Sequence, residues 1–215
     1  MRVLIRSFLA GILISVGCVI YLMCESKIVG SFLFSFGLFS ILNMKLNLYT
    51  GKIGYLVLNL NREYVRDLLI TLIGNYLGTL FVAVMIRFTR LNIMDTVAAV
   101  TAVKLGDSYI SMFILAIFCG MLMFLGVELF RSIESYIGKA LGLIFVVMVF
   151  ILSGFEHSIA DMFYFNLARN LNVLLLLIII LGNTVGALLL CWLGEMAKDK
   201  TEMPEKSVPT DKINA

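Results

Sequence analysis

Of the 215 residues, 61% are hydrophobic and only 14% charged, and the mean hydropathy of +1.02 lies well above that of an ordinary soluble domain. The chain therefore reads as an integral membrane protein. Its net charge of +3 reflects uneven placement of Lys and Arg between the two membrane faces, not a nucleic-acid-binding surface.

Crossing a bilayer core takes about 20 helical residues, and six apolar runs are long enough, at about 4–23, 28–60, 66–86, 109–130, 136–168 and 171–194. Arg2 and Arg6 ahead of the first run resemble a signal peptide, but no small-residue cleavage site follows, so this run is expected to stay as a span. The second and fifth runs are too long for one straight helix and polar in the middle, so each is expected to be a broken helix. Cys18, Cys24, Cys119 and Cys191 are scattered without metal or redox spacing and read as packing residues, and no cofactor is implied. Residues 1–197 form one all-α transmembrane domain of six helices; the charged tail from Lys198 to Ala215, which holds both prolines, is expected to be disordered.

Orientation follows from basic residues. With the N-terminus inside, ten of them, including Arg2, Arg6, Arg62, Arg66, Arg131 and Lys139, fall on the cytoplasmic side, against Lys27, Arg87, Arg90, Lys104 and Arg169 outside; Lys45 and Lys52 lie at the first interruption. Both termini are thus expected in the cytoplasm.

Two strings echo each other, "GNYLGTL" at 74–80 and "GNTVGAL" at 182–188. The offset of 108 residues between them lays Tyr49-Thr50 over His157-Ser158. Each half, about 3–90 and 108–196, then reads as straight helix, broken helix, straight helix, and an odd number of spans inverts the second copy. Inverted repeats with discontinuous helices in matching places point to a transport site near the midplane.

Irregular backbone at membrane depth survives only when buried in protein or lining a wet cavity, so the interruptions are pathway candidates. Two half-helix N-termini facing the middle would favour an anion. His157 is the only histidine, and an ionisable group inside a membrane usually marks an ion path or proton relay. Asp161, four residues on, would share its helical face and could stabilise a protonated imidazole; Glu156 would instead bond backbone groups freed by the break. Lys104, in a moderately polar connection between the third and fourth spans, would raise the local anion concentration if that connection folds over the outer mouth.

These residues resemble the formate/nitrite transporter family. "GFEHSIADMF" looks like its fifth-span histidine motif, "LYTGK" like its second-span break, and "GNTVGALL" like its sixth-span signature, over nearly all of residues 3–196. The resemblance implies an aquaporin-like protomer in the plasma membrane, assembled as a homopentamer with one pore per subunit. It implies that Lys104 draws anions in, that Thr50 and His157 meet at the pore's middle, and that Phe34, Leu38, Leu48, Tyr49 and Phe150 form the constrictions. Departures from the family pattern are Tyr49 in place of phenylalanine, Gly120 in place of a fourth-span pore asparagine, Asp161 in place of asparagine, and Lys45-Leu46-Asn47 in place of Gly-Ala-Glu or Gly-Ala-Asp.

The expected function is passage of small monovalent anions of the formate, nitrite or hydrosulfide class together with a proton, the neutral acid crossing apolar constrictions that a bare ion could enter only at a large desolvation cost. No nucleotide-binding or hydrolytic motif suggests an enzyme. Two alternatives are a neutral-solute channel, favoured if Gly120 widens the pore, and a non-transporting membrane scaffold that recruits a partner through its tail.

Overall fold

A computed structural model describes residues 1–198 of the chain; the expected tail, beyond Lys198, lies outside the described residues. Nine α-helices follow one another among these residues: α1 Arg2–Met23, α2 Lys27–Asn43, α3 Tyr49–Lys52, α4 Arg62–Ile86, α5 Met94–Gly106, α6 Tyr109–Ser132, α7 Tyr136–Leu152, α8 Ser158–Leu167 and α9 Val173–Ala197. A 3-10 turn, Ile53–Val57, extends α3. By length and composition α1, α4, α6 and α9 can cross a membrane, while α2 and α7 are shorter apolar helices of 17 residues each.

Local chemistry sets most helix starts. Side-chain oxygens of Ser26, Asn61, Ser108, Ser135 and Asn172 accept the otherwise orphaned N–H groups of α2, α4, α6, α7 and α9. The stops of α2, α7 and α8 share one device. Lys45, Gly154 and Arg169 adopt φ of 54°, 70° and 55°, and the following N–H reaches back five residues, Leu46 to Ile41, Phe155 to Phe150 and Asn170 to Phe165. This left-handed closure satisfies the last carbonyls and turns the chain sharply. At two of the three places it is built without glycine.

Two helix pairs carry the packing, α1 against α4 and α6 against α9. Both rest on the echoed strings. A Cβ on Gly78 would run into the Phe8 carbonyl oxygen, and one on Gly186 into that of Ile117, so these backbones approach as only glycine permits. The short segments cross over between pairs: α8 packs on α4 and α1, and the 3-10 turn packs on α9. Ser158 through Phe165 of α8 are buried throughout.

The connection between the third and fourth expected spans is not a loop. It contains α5, whose last turn holds Lys104 and which packs on α8. Only Val97 and Thr101 of α5 are buried, so the segment lacks the continuous apolar stripe by which a helix is recognised in sequence.

Candidate functional site

Between α2 and α3 the chain runs extended through Leu48, and between α7 and α8 through His157. The amide groups freed there are held by two asparagines from the echoed strings. Asn75 accepts from Tyr49 N–H at 2.9 Å and donates to the carbonyls of Ser7 and Asn47 at 2.7 and 2.9 Å. Asn183 accepts from Ser158 N–H at 2.9 Å and donates to the carbonyls of Ala116 and Glu156, both at 2.8 Å. Each side chain thus uses both of its N–H donors and one lone pair of its oxygen. Both asparagines are fully buried.

These bonds reset the register of the two halves. Tyr49 matches Ser158, not His157, because 26 residues separate clasp and clasped residue in the first half and 25 in the second. Leu48 is thus the counterpart of His157. The closures at Lys45 and Gly154 keep the same shifted register.

His157 caps α8: its Nδ1 accepts the Ala160 N–H at 3.3 Å. That bond leaves the ring proton on Nε2, which donates to Thr50 Oγ1 at 2.8 Å. Thr50 is fully buried and His157 is 2% exposed, so this contact is buried. A proton added at Nδ1 would displace the helix cap, which ties the neutral imidazole to the folded arrangement. The two expected half-helix N-termini differ in length: α8 has ten residues, but α3 only four before the 3-10 turn.

A cavity of about 280 Å³ reaches His157 from one side, lined by Lys104, Glu156, Asp161 and Tyr164 and closed by Phe34 and Phe150. The two phenylalanine rings meet edge to face at 6.0 Å, and Phe150 lies 5.7 Å from the imidazole. On the other side a cavity of about 320 Å³ ends at Leu38 and Leu48 and is lined by Lys45, Lys52, Arg131 and Lys139. The two cavities share no lining residue. Phe34 and Leu38 are one turn apart on α2, about 6 Å along its axis, so the apolar layer between the cavities is thin and contains the His157–Thr50 pair.

Four expected roles change. Asp161 does not turn to His157; its Oδ1 lies 2.9 Å from Lys104 Nζ, which also bonds Glu156 Oε2. Burial of all three side chains makes this pairing the nearest compensation for both carboxylates. The Glu156 side chain does not serve the freed backbone, since the Asn183 amide already does. Gly120 lines neither cavity: a Cβ there would strike the Asn183 backbone, so it is a packing residue of α6 against α9 and gives the neutral-solute alternative no wider pore. Tyr49 lines neither cavity as well, and its hydroxyl is paired with Thr184 Oγ1 at 3.0 Å.

Asn75, Asn183, Arg131 and Lys139 were not among the expected site residues, whereas Lys45 and Lys52 were expected at the first interruption. The asparagines stand inside the echoed strings, beside glycines whose spacing is the more familiar signal of helix packing. Among the described residues no cluster of metal ligands occurs.

Four helices able to cross a membrane, and two cavities separated by an apolar layer that holds a buried histidine, fit a membrane transport protein. The model of the formate/nitrite transporter family matches residues 1–197, and the chain belongs to that family, one of transporters and not of enzymes. Among its relatives, the formate channel FocA of Haemophilus influenzae is 27% identical over 149 residues, 64% of this chain and 52% of the relative. A formate-nitrite transporter of Plasmodium knowlesi is 29% identical over 49% of this chain and 37% of its own. An uncharacterised Bacillus subtilis transporter, YrhG, is 31% identical over 64% and 56%. The matches thus span from about a third to a little over half of these relatives. Two solved structures share the fold at 23% identity: a pentameric formate channel with formate bound, with a TM-score of 0.73 over 91% of this chain and 94% of the other, and an FNT family ion channel, with a TM-score of 0.81 over 90% and 88%.

Proposed function

We propose that the protein is a channel for small monovalent weak acids of the formate, nitrite or hydrosulfide class, moved together with a proton. The carrying observation is the buried His157–Thr50 hydrogen bond set in an apolar layer between two cavities with charged walls. An anion entering that layer would lose hydration without gaining a partner charge, whereas its conjugate acid crosses at far lower cost. The anion therefore takes up a proton where it meets the pair. Neutral His157 offers an N–H to an acid's oxygen or sulfur, and Thr50 both accepts and donates as the substrate passes.

In this reading the six crossings are α1, α2 with α3, α4, α6, α7 with α8, and α9, related as inverted halves. The distribution of basic residues supports cytoplasmic termini, with the Lys45 cavity opening inward and the Lys104 cavity outward. Membership of the family supports a homopentamer in the plasma membrane, with one complete pathway in each protomer.

The test is uptake of formate, nitrite, lactate and hydrosulfide into proteoliposomes across an imposed pH gradient, with internal pH recorded and His157→Asn in parallel. Acid-dependent acidification inside, lost in the variant or replaced by anion current, is the expected outcome. Intact protein that moves none of these acids would overturn the reading.

A further inference from the structure

The two mouths differ in charge, and the difference is built from side chains on either side of the same apolar layer. At one mouth Lys104 is held by both Glu156 and Asp161. Asp161 is 1% exposed, and neither carboxylate oxygen has a hydrogen-bond partner among the described residues, so the Lys104 ammonium at 2.9 Å is its compensation. One ammonium against two carboxylates gives a formal charge of −1. If a proton sits on one of the acids the sum is zero; in neither state is it positive.

At the other mouth Lys45, Lys52, Arg131 and Lys139 line the cavity and no carboxylate does. Arg131 has company, resting on the Tyr55 ring beside the Glu128 carboxylate that accepts the Tyr55 hydroxyl. The three lysines make no ion pair among the described residues. Lys45 stands exposed at its left-handed turn, and Lys139 lies 5.8 Å over the Phe130 ring. The hydroxyl of Tyr64 is committed to the Lys52 carbonyl at 2.8 Å and that of Tyr55 to Glu128, which leaves the cationic groups as the cavity's polar face.

We infer that this channel collects anions at one mouth only: Lys45, Lys52 and Lys139 form a monovalent-anion binding site, while Asp161 cancels the attraction of Lys104 at the opposite mouth. A positive cavity with low-dielectric walls concentrates anions by about tenfold or more, and the triad at Lys104 does not. A passive pore must have equal permeability in both directions at low concentration. The asymmetry therefore shows in saturation: loading from the Lys45 mouth half-saturates at a lower concentration and reaches a lower ceiling rate. This consequence rests on the channel reading above, but the charge difference itself does not.

The experiment therefore reads the mouths directly. In a Cys24→Ser background, Leu42→Cys places a thiol in the Lys45 cavity and Val103→Cys one in the Lys104 cavity. Each purified full-length variant is treated with anionic and cationic thiosulfonates, and the rate ratio is divided by that of a free model thiol. The expected ratio favours the anionic reagent about tenfold at Leu42→Cys and does not favour it at Val103→Cys. Asp161→Asn raises the ratio at Val103→Cys alone, Lys45→Asn with Lys139→Asn lowers it at Leu42→Cys alone, and added salt moves the Leu42→Cys ratio toward unity. Equal ratios at the two mouths, or a Val103→Cys ratio indifferent to Asp161→Asn in folded protein, overturn the inference. Formate uptake into right-side-out and inside-out vesicles then compares half-saturation at each face. Absence of flux from both faces would sink the channel reading while the thiol ratios still decide the charge of each mouth, whereas flux with equal half-saturation would sink one-sided collection.

Discussion

The Thr50 hydroxyl and the His157 Nε2–H are each other's only described polar partners in a buried site, so replacing one strands the other. Thr50→Val keeps the shape but leaves a buried imidazole N–H unpaired, at a cost of about 1–3 kcal/mol. The expected result is a lower melting temperature and loss of acid flux, with Thr50→Ser restoring both. A second prediction concerns the backbone. Lys45 holds φ of 54° where the equivalent position is Gly154 at 70°, and a side chain in that region costs about 1–2 kcal/mol. Lys45→Gly is expected to raise the melting temperature in detergent and Gly154→Ala to lower it. Opposite signs at matched positions identify the left-handed closure as the cause, since loss of the lysine charge has no counterpart at Gly154.

At the scale of elements, the clasps decide whether the interrupted segments hold their place. Asn75→Leu strands the Tyr49 N–H and the Asn47 carbonyl, and Asn183→Leu strands the Ser158 N–H and the Glu156 carbonyl. Each unpaired group costs about 1–3 kcal/mol in a buried setting, so either variant is expected to be poorly folded, with faster hydrogen exchange at the residues it frees. Asn→Asp keeps the acceptor but not the donors, and is expected to fall between. The sequence already held these elements in part. The four long helices were legible because hydrocarbon thickness sets a run length. The His157–Thr50 contact was legible only through family resemblance, since the two lie 107 residues apart. The one-residue shift between the halves was not legible because apolar neighbours such as Leu48 look alike at either register. The pairing of Asp161 with Lys104 was hidden for another reason: helical spacing reports neighbours on the same helix, and Lys104 arrives from α5, a helix with too little apolar periodicity to be seen.

At the scale of the whole molecule, every residue of the candidate pathway, from Lys45 through Leu38, Leu48, Thr50, His157 and Phe150 to Lys104, belongs to one protomer. One chain by itself supplies both cavities and the layer between them. Its outward surface still carries large apolar side chains, among them Phe32, Phe36, Leu69, Ile73 and Leu177, which suit lipid or adjacent copies equally. In the proposed pentamer, assembly therefore buries surface and does not build the path. Co-expressing wild-type and His157→Asn chains with different tags, and purifying mixed assemblies of known ratio, tests this. Independent pathways give flux proportional to the wild-type fraction, so one variant among five leaves about four-fifths of the activity, as independent sites add. A steep fall, with a single variant silencing most of the assembly, would instead mean that the pathway is shared between copies.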